Sequence, residues 1–459
     1  MPNSLKFGTS GLRGLATDLV GAESRRYTAA FVAHLRTRGP VTEMLVGRDL
    51  RASSPQIAAA VIAAIAGSGV RAIDCGGLPT PALAYEALRR RAPAIMVTGS
   101  HIPADRNGLK FYTAAGEIDK ADEAGILAAL APDHEGGGQA TAEPEALRRY
   151  RARYAGMLPH GGLKGWRVGV WEHSSVARDL LVDLLDHYDA DVVALNRSQD
   201  FVPVDTEAVS ADTATELAGW VRAHQLDALV STDGDADRPL MVDETGAQVR
   251  GDTIGILTAK FVGADTVVTP VTSNSSIEDT GDFHRVIRTR VGSPYVIAGM
   301  REGQGTVVGF EANGGVLLGS DVTMNGSTLT AMPTRDAMLP ILSVLGAARR
   351  ARQTLSQLVA TLPPRVARAD RLEHVPAERS AALMALLERD AAGFLAPQGT
   401  IAATSTLDGM RFQLSNGDVI HYRPSGNAPE LRCYTEAATA ERADALLAWG
   451  LEAARRVVR

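Results

Sequence analysis

The sequence predicts an α/β protein: three tandem α/β domains with mixed sheets flanked by helices, closed by a smaller C-terminal α+β domain. Three observations carry this. Apolar runs of strand length alternate with helix-length amphipathic segments in three successive rounds. Glycine-containing polar loops repeatedly follow those runs, as in layered α/β architectures. Beyond Pro364 the rhythm changes to closely spaced strand signals and one long terminal helix. The 459 residues suit about three domains, or four small ones. With 45% hydrophobic and 22% charged residues, the chain has ample apolar material for its cores.

In order, the first round has helical periodicity over 23–38, a strand over 44–47 and a buried helix over 55–67 ended by Gly67. A strand over 70–74, a helix over 82–91 and a strand over Ala94–Val97 follow. Residues 131–145, with Pro132, Gly136, Gly137, Gly138 and Pro144, read as a surface linker. The second round has strands over 166–171, 191–195 and 226–230, with helices over 174–188 and 213–225 between them. The third has helices over 253–262 and 294–302 and strands over 266–269, 285–290 and 305–309. In the last segment Met410–Leu414 and residues 418–422 flank the turn Ser415-Asn416-Gly417 as a hairpin. A strand over 430–435 and the amphipathic helix Ala440–Val458 complete it. The expected domains are 1–142, 143–250, 251–365 and 366–459.

Composition excludes several classes of function. Forty-seven basic against 53 acidic residues leave a formal charge of −6, which gives no reason to expect a nucleic-acid partner. Cys75 and Cys433 are too few for a disulfide framework or a thiolate metal site. The opening Met1-Pro2-Asn3-Ser4-Leu5-Lys6-Phe7 lacks the apolar core of a signal peptide, and the alanine-rich run over 57–66 is too short to span a membrane. A cytoplasmic protein without membrane contact is expected, either monomer or homodimer.

The most informative stretch is Ser231-Thr232-Asp233-Gly234-Asp235-Ala236-Asp237-Arg238, after the apolar run 226–230. Three carboxylates at alternate positions cannot all face a dry core, because unpaired buried charge is costly. At a strand end they can instead fold around one hard divalent cation, Mg²⁺ being suited to oxygen ligands. Twelve residues counted from Asp233 end on Glu244, as in an EF-hand. That loop needs glycine sixth and a helix after it, whereas this chain has Arg238 and then the strand-like Pro239-Leu240-Met241-Val242. A phosphatase using Asp233 as nucleophile stays open on these residues alone.

Four other loops carry chemistry-bearing residues at strand ends, where open α/β sheets place ligand groups. Phe7-Gly8-Thr9-Ser10-Gly11-Leu12-Arg13-Gly14 can bring backbone N–H groups and one guanidinium to an anion. Thr98-Gly99-Ser100-His101-Ile102-Pro103, continued by Asn107-Gly108-Leu109-Lys110, offers a serine beside a histidine with a lysine near; the hydroxyl is either a nucleophile or a turn-satisfying group. Glu311-Ala312-Asn313-Gly314-Gly315 has acceptors of the kind that grip sugar hydroxyls, or is an ordinary Asn-Gly turn. Arg423-Pro424-Ser425-Gly426-Asn427 makes a compact phosphate cradle.

Together and in this order, the five stretches resemble the α-D-phosphohexomutase superfamily, with the likeness running over residues 7–427. The serine loop with its Asn107-Gly108-Leu109-Lys110 extension and the acidic loop are the most diagnostic; Gly47-Arg48-Asp49 with Arg51, Pro79-Thr80-Pro81 and Arg290-Val291-Gly292 agree as well. The resemblance implies four domains around a central cleft and a mutase interconverting hexose 6-phosphate and hexose 1-phosphate. It implies that Ser100 carries the phosphoryl group and that Asp233, Asp235 and Asp237 hold Mg²⁺, completed by an oxygen on Ser100. His101, Lys110 and Arg13 would surround the reacting oxygen, one of them as acid/base, while Arg238 supports the loop or the serine phosphate. Glu311 and Asn313 would grip the sugar. Arg423, Ser425, Gly426 and Asn427, with Arg290, would hold the non-reacting phosphate. Hexose 1,6-bisphosphate is the implied intermediate and activator, and a small sugar phosphate the partner.

The chain departs from the family where the sugar loop commonly reads Glu-x-Ser-Gly-His: here asparagine replaces the serine and Gly315 the histidine. Ile102 stands where asparagine is common, and Pro239 where an aliphatic residue is usual. The sugar-loop variant and Thr334-Arg335-Asp336 look most like phosphomannomutase members, so mannose is the expected sugar, then glucose and glucosamine. A metal-dependent sugar-phosphate phosphatase is the remoter alternative.

Overall fold

The computed structural model describes residues 4–8, 11–134, 136–425 and 429–458. The chain groups into two compact units, residues 1–267 with 292–359, and residues 268–291 with 360–459. Mixed sheets flanked by helices make up the first.

Its N-terminal sheet runs in the order Lys6–Gly8, Gly11–Leu15, Arg106–Thr113, Ala94–Val97, Glu43–Arg48, Arg71–Gly77, Thr141–Ala142, with Gly116–Glu117 paired to Arg106–Thr113. The centre is parallel because helices Ser54–Gly67 and Thr80–Arg90 return the chain between strands. Met44, Leu45, Val46, Ile95, Met96 and Val97 are fully buried, as a sheet covered on both faces requires. The half that includes Arg106–Thr113 is antiparallel, so residues 98–105 join two neighbouring strands, with Val97 opposite Leu109 and Met96 opposite Lys110. Sequence periodicity gives no strand there, since buried Asn107 and Lys110 break the apolar pattern. The expected linker over 131–145 is also partly structural: Thr141–Ala142 pairs with Ile73 and Asp74.

The second sheet has the order Asp191–Arg197, Arg167–His173, Ala228–Thr232, Pro239–Asp243, Gln248–Val249, parallel and then antiparallel. Thr232 faces Pro239, so the acidic loop is the tip of a β-hairpin. An EF-hand needs a helix where Pro239–Asp243 is a strand. The helix expected over 174–188 begins later, at Arg178–His187. Ser174 and Ser175 are diverted by side-chain bonds to the backbone of Val202 and the hydroxyl of Thr232. Further along, Val307–Phe310, Val316–Leu318 and Met332–Asp336 form an antiparallel ladder whose first turn is the loop 311–315.

The second unit holds the antiparallel sheet Val366–Leu372, Leu431–Ala437, Val419–Pro424, Met410–Leu414, Ile401–Ser405. The expected hairpin is present: Phe412 faces Ile420, and Gly417 takes the positive φ of 87° that its turn needs. Helices Ala377–Leu395 and Ala440–Val458 supply Leu383, Leu387 and Leu446 to the core of Phe412, Ile420 and Tyr422. Residues 268–291 belong here too, with Asn274 Nδ2 donating to the Arg365 carbonyl at 2.9 Å and the Ser275 amide to Glu436. Among the described residues no helix is long and apolar enough to cross a membrane.

Candidate active site

Ser100 sits on the connection between Ala94–Val97 and Arg106–Thr113, 1% exposed and with a left-handed φ of 55°. A non-glycine residue adopts that conformation only where its surroundings enforce it. Here the Ser100 amide donates to Thr98 Oγ1 at 2.8 Å, and its carbonyl accepts from Arg51 Nη2 at 2.9 Å. Arg51 also donates to the carbonyls of Ile102 at 2.6 Å, Pro103 at 2.7 Å and Arg106 at 2.9 Å. Asp49 balances its charge from 3.3 Å and accepts from the hydroxyls of Thr98 and Ser54. The loop is therefore wrapped around a buried guanidinium, which stacks on Phe201 with its carbon 3.9 Å from the ring centre.

That wrapping aims the Ser100 hydroxyl at the acidic hairpin tip: Oγ donates to Asp233 Oδ2 at 2.5 Å and lies 3.3 Å from His101 Nδ1. The close approach needs Gly234, where a Cβ would lie 2.7 Å from the Phe201 ring and 3.0 Å from the Ser100 carbonyl oxygen. Asp233, Asp235 and Asp237 are all buried, with one carboxylate oxygen from each within 4.8 Å of the others. Asp235 Oδ2 accepts from Thr80 Oγ1 at 2.5 Å and Lys110 Nζ at 2.6 Å, yet its Oδ1 has no hydrogen-bond partner. Asp237 repeats the pattern: Oδ2 accepts from Lys110 at 2.6 Å and Arg335 at 2.9 Å, and Oδ1 has no hydrogen-bond partner, Arg238 Nε standing 3.7 Å away. Two orphaned, buried carboxylate oxygens beside a third carboxylate are what a hard cation requires. The triad can hold a metal ion.

The electrostatics agree. Burial, then Asp235 and Asp237, push the Asp233 carboxyl well above the usual range. Burial also works against the Asp237 carboxylate, but Arg335, Lys110 and Arg238 overcome it and hold it well below. For Lys110, burial disfavours the ammonium, and Asp235 and Asp237 outweigh that to raise it. His101 is pulled down to about 2 by burial, then by Arg238 and Arg13, and is a neutral ring at pH 7. Arg13, on strand Gly11–Leu15, is lowered to about 10 by burial and by Arg238 and Arg335, and its Nη2 is buried without a partner.

Glu311 and Asn313 are buried in the turn between Val307–Phe310 and Val316–Leu318. Asn313 Oδ1 accepts from the Gly315 amide at 3.0 Å, and Glu311 Oε2 accepts from Arg335 Nη1 at 2.8 Å. The first unit thus brings together Ser100, His101, Lys110, Arg13, Arg238, the three aspartates, Glu311 and Asn313. Lys110 lies on Asp235 and Asp237, and the recorded polar neighbours of Ser100 Oγ are Asp233 and His101. In the second unit, Arg423 Nε and the amide of Val291, next to Arg290, both donate to Asp408 Oδ2 at 2.9 Å. Ser425 follows strand Val419–Pro424, while Gly426 and Asn427 lie outside the described residues.

Sequence reasoning named no role for Arg51, Asp49, Thr80, Arg335 or Asp408. The first three stand in Gly47-Arg48-Asp49, its Arg51 and Pro79-Thr80-Pro81, short matches whose work appears only in three dimensions. Arg51→Ala is expected to destabilise the protein by about 3 kcal/mol in urea unfolding, because four carbonyls and buried Asp49 lose their partner together.

Models of all four domains of phosphoglucomutase/phosphomannomutase match the chain: alpha/beta/alpha domain I over residues 4–135, domain II over 159–246, domain III over 250–366 and the C-terminal domain over 365–448. A phosphomannomutase of Sinorhizobium fredii is 50% identical, covering 97% of this chain and 98% of its own. One from Salmonella muenchen is 44% identical, over 96% and 93%. A phosphoglucomutase/phosphomannomutase family protein of Burkholderia thailandensis shares the fold, with a TM-score of 0.79, 22% identity and 98% of each chain covered.

Proposed function

The chain belongs to the phosphoglucomutase/phosphomannomutase family, and from that membership we propose that it is a phosphomannomutase, interconverting mannose 6-phosphate and mannose 1-phosphate. The observation that carries the reading is the buried Ser100 hydroxyl 2.5 Å from an aspartate triad with two unsatisfied oxygens.

Ser100 carries a phosphoryl group in the active form. The bond between phosphorus and the serine oxygen breaks as one forms to a sugar hydroxyl, whose proton passes by way of the acid/base group to the serine oxygen. The hexose 1,6-bisphosphate so made turns end for end, and its other phosphoryl group returns to Ser100. Asp233, Asp235 and Asp237, with a Ser100 oxygen, would hold Mg²⁺, which would supply positive charge against the group in transfer. Arg13, Arg238 and Lys110 add fixed positive charge around it, which is how phosphoryl transfer is chiefly accelerated. His101, Lys110 and Arg13 are the three acid/base candidates; burial and the neighbouring Arg238 and Arg13 guanidiniums leave the His101 ring neutral at pH 7 but make it a weak base. Glu311 and Asn313 grip the sugar hydroxyls. In the second unit Arg290, Arg423 and Ser425, with Gly426 and Asn427 of the same sequence motif, are the residues proposed to take the non-reacting phosphate; of these, Arg423 is held by Asp408, which also accepts from the Val291 amide beside Arg290. The protein acts in the cytoplasm on a soluble substrate.

Mannose is the expected sugar because both near-full-length relatives named above are phosphomannomutases. The test is kcat/KM on mannose 1-phosphate against glucose 1-phosphate and glucosamine 1-phosphate, with mannose 1-phosphate expected to lead. A hundredfold preference for glucose, about 2.7 kcal/mol, would overturn the assignment.

A further inference from the structure

Arg335 joins the acidic loop to the sugar-gripping loop, and it does so from space that a side chain at position 315 would need. It is 3% exposed on strand Met332–Asp336. Nη2 and Nε lie 2.9 and 3.2 Å from Asp237 Oδ2, and Nη1 lies 2.8 Å from Glu311 Oε2. A Cβ on Gly315 would fall 2.6 Å from Arg335 Cδ and 2.9 Å from its Cγ, with the Asp237 carbonyl oxygen at 3.0 Å. The strand that delivers Arg335 is pinned on both sides of it. Thr334 Oγ1 donates to Glu117 Oε1 at 2.8 Å. Buried Asp336 accepts from Tyr150 Oη at 2.6 Å, from the Tyr154 hydroxyl and from the Met338 amide at 2.8 Å. Arg335 is held along its backbone as well as at its tip.

We propose that Arg335 is a positioning residue for the mutase reaction, and that Gly315 is glycine so that Arg335 can lie where it does. The pair is one device, setting the position of metal ligand Asp237 relative to sugar ligand Glu311 through a single planar fork. This rests on the mutase reading for the roles of Asp237 and Glu311. A guanidinium can hold two carboxylates at a defined angle, which an ammonium cannot. The departure from the family's sugar loop at position 315 thereby acquires a cause: a histidine there and this arginine compete for one volume.

The test is a double-mutant cycle of Gly315→Ala and Arg335→Ala with two readouts. One is kcat/KM for mannose 1-phosphate; the other, independent of turnover, is Mn²⁺ binding followed by the paramagnetic resonance of the free ion. Each single substitution is expected to lower kcat/KM about 100-fold and weaken Mn²⁺ binding about tenfold. The double variant should fall well short of the product of the two single effects, because the methyl's two tightest contacts, with Arg335 Cδ and Cγ, are then gone and only the Asp237 carbonyl at 3.0 Å remains. Arg335→Lys keeps charge beside Asp237 without spanning to Glu311, so Mn²⁺ binding should return to within about threefold of wild type while KM stays raised. Multiplying effects in the double variant, a wild-type-like Gly315→Ala, or recovery of both readouts by Arg335→Lys would each overturn the proposal. If Arg335→Ala fails to fold, Gly315→Ala decides alone, since it removes no charge. A wild type that binds Mn²⁺ but lacks mutase turnover would instead sink the functional reading, leaving the Mn²⁺ arm to judge the pair.

Discussion

Replacing Ser100 by alanine is expected to lower mutase turnover by about 10⁵-fold, the scale on which loss of a covalent nucleophile is felt. The side chain is small and 1% exposed, and the loop around it is held by Arg51 through backbone carbonyls, so the substitution leaves the scaffold's bonds in place. What disappears is the oxygen beside Asp233 and His101. A phosphatase with Asp233 as nucleophile would keep releasing inorganic phosphate in this variant. Steady-state assays of isomerised sugar and of free phosphate on the same sample therefore separate the readings.

The second large effect is expected from Asp235→Asn, with kcat falling about 10³-fold even at saturating Mg²⁺ and near-normal turnover excluding the assigned role. The amide matches the carboxylate in size but cannot satisfy both of its sides. Thr80 and Lys110 donate to Oδ2, so an acceptor must remain there. The amide nitrogen is then forced to the Oδ1 position, where a donor would repel any cation the triad holds. In the opposite orientation the nitrogen meets two donors. Charge adds to this: the Asp235 carboxylate acts on the buried cations Lys110 and Arg13. Neutralising it takes away the charge that most favours the buried Lys110 ammonium, where unpaired charge is costly.

The loops that carry chemistry were legible because they violate the rules of a core. Three aspartates after an apolar strand, or a serine and histidine after Ala94–Val97, stand out because polar groups placed there must find partners. The C-terminal hairpin was legible for the opposite reason, since alternating apolar residues around Ser415-Asn416-Gly417 agree with one local structure. Strand Arg106–Thr113 was hidden because Asn107, bonded to the Ser53 and Ser54 hydroxyls, and Lys110, bonded to Asp235 and Asp237, replace apolar residues on a buried stretch. Arg51, Thr80 and Arg335 were hidden differently. Thr80 meets Asp235 from 155 positions away and Arg335 meets Asp237 from 98, and no periodicity encodes such contacts. Arg335 entered the sequence reading only as part of a sugar-preference motif, when its partner Gly315 stood in the neighbouring one.

The most direct test of the central claim is intact-mass analysis of the protein after brief exposure to mannose 1,6-bisphosphate with Mg²⁺, followed by peptide mapping. The account predicts a gain of one phosphoryl group, located on Ser100 and lost again when mannose 1-phosphate is added in excess. A phosphoryl group found on Asp233, or an unmodified protein that turns over its substrate at full rate, would contradict it.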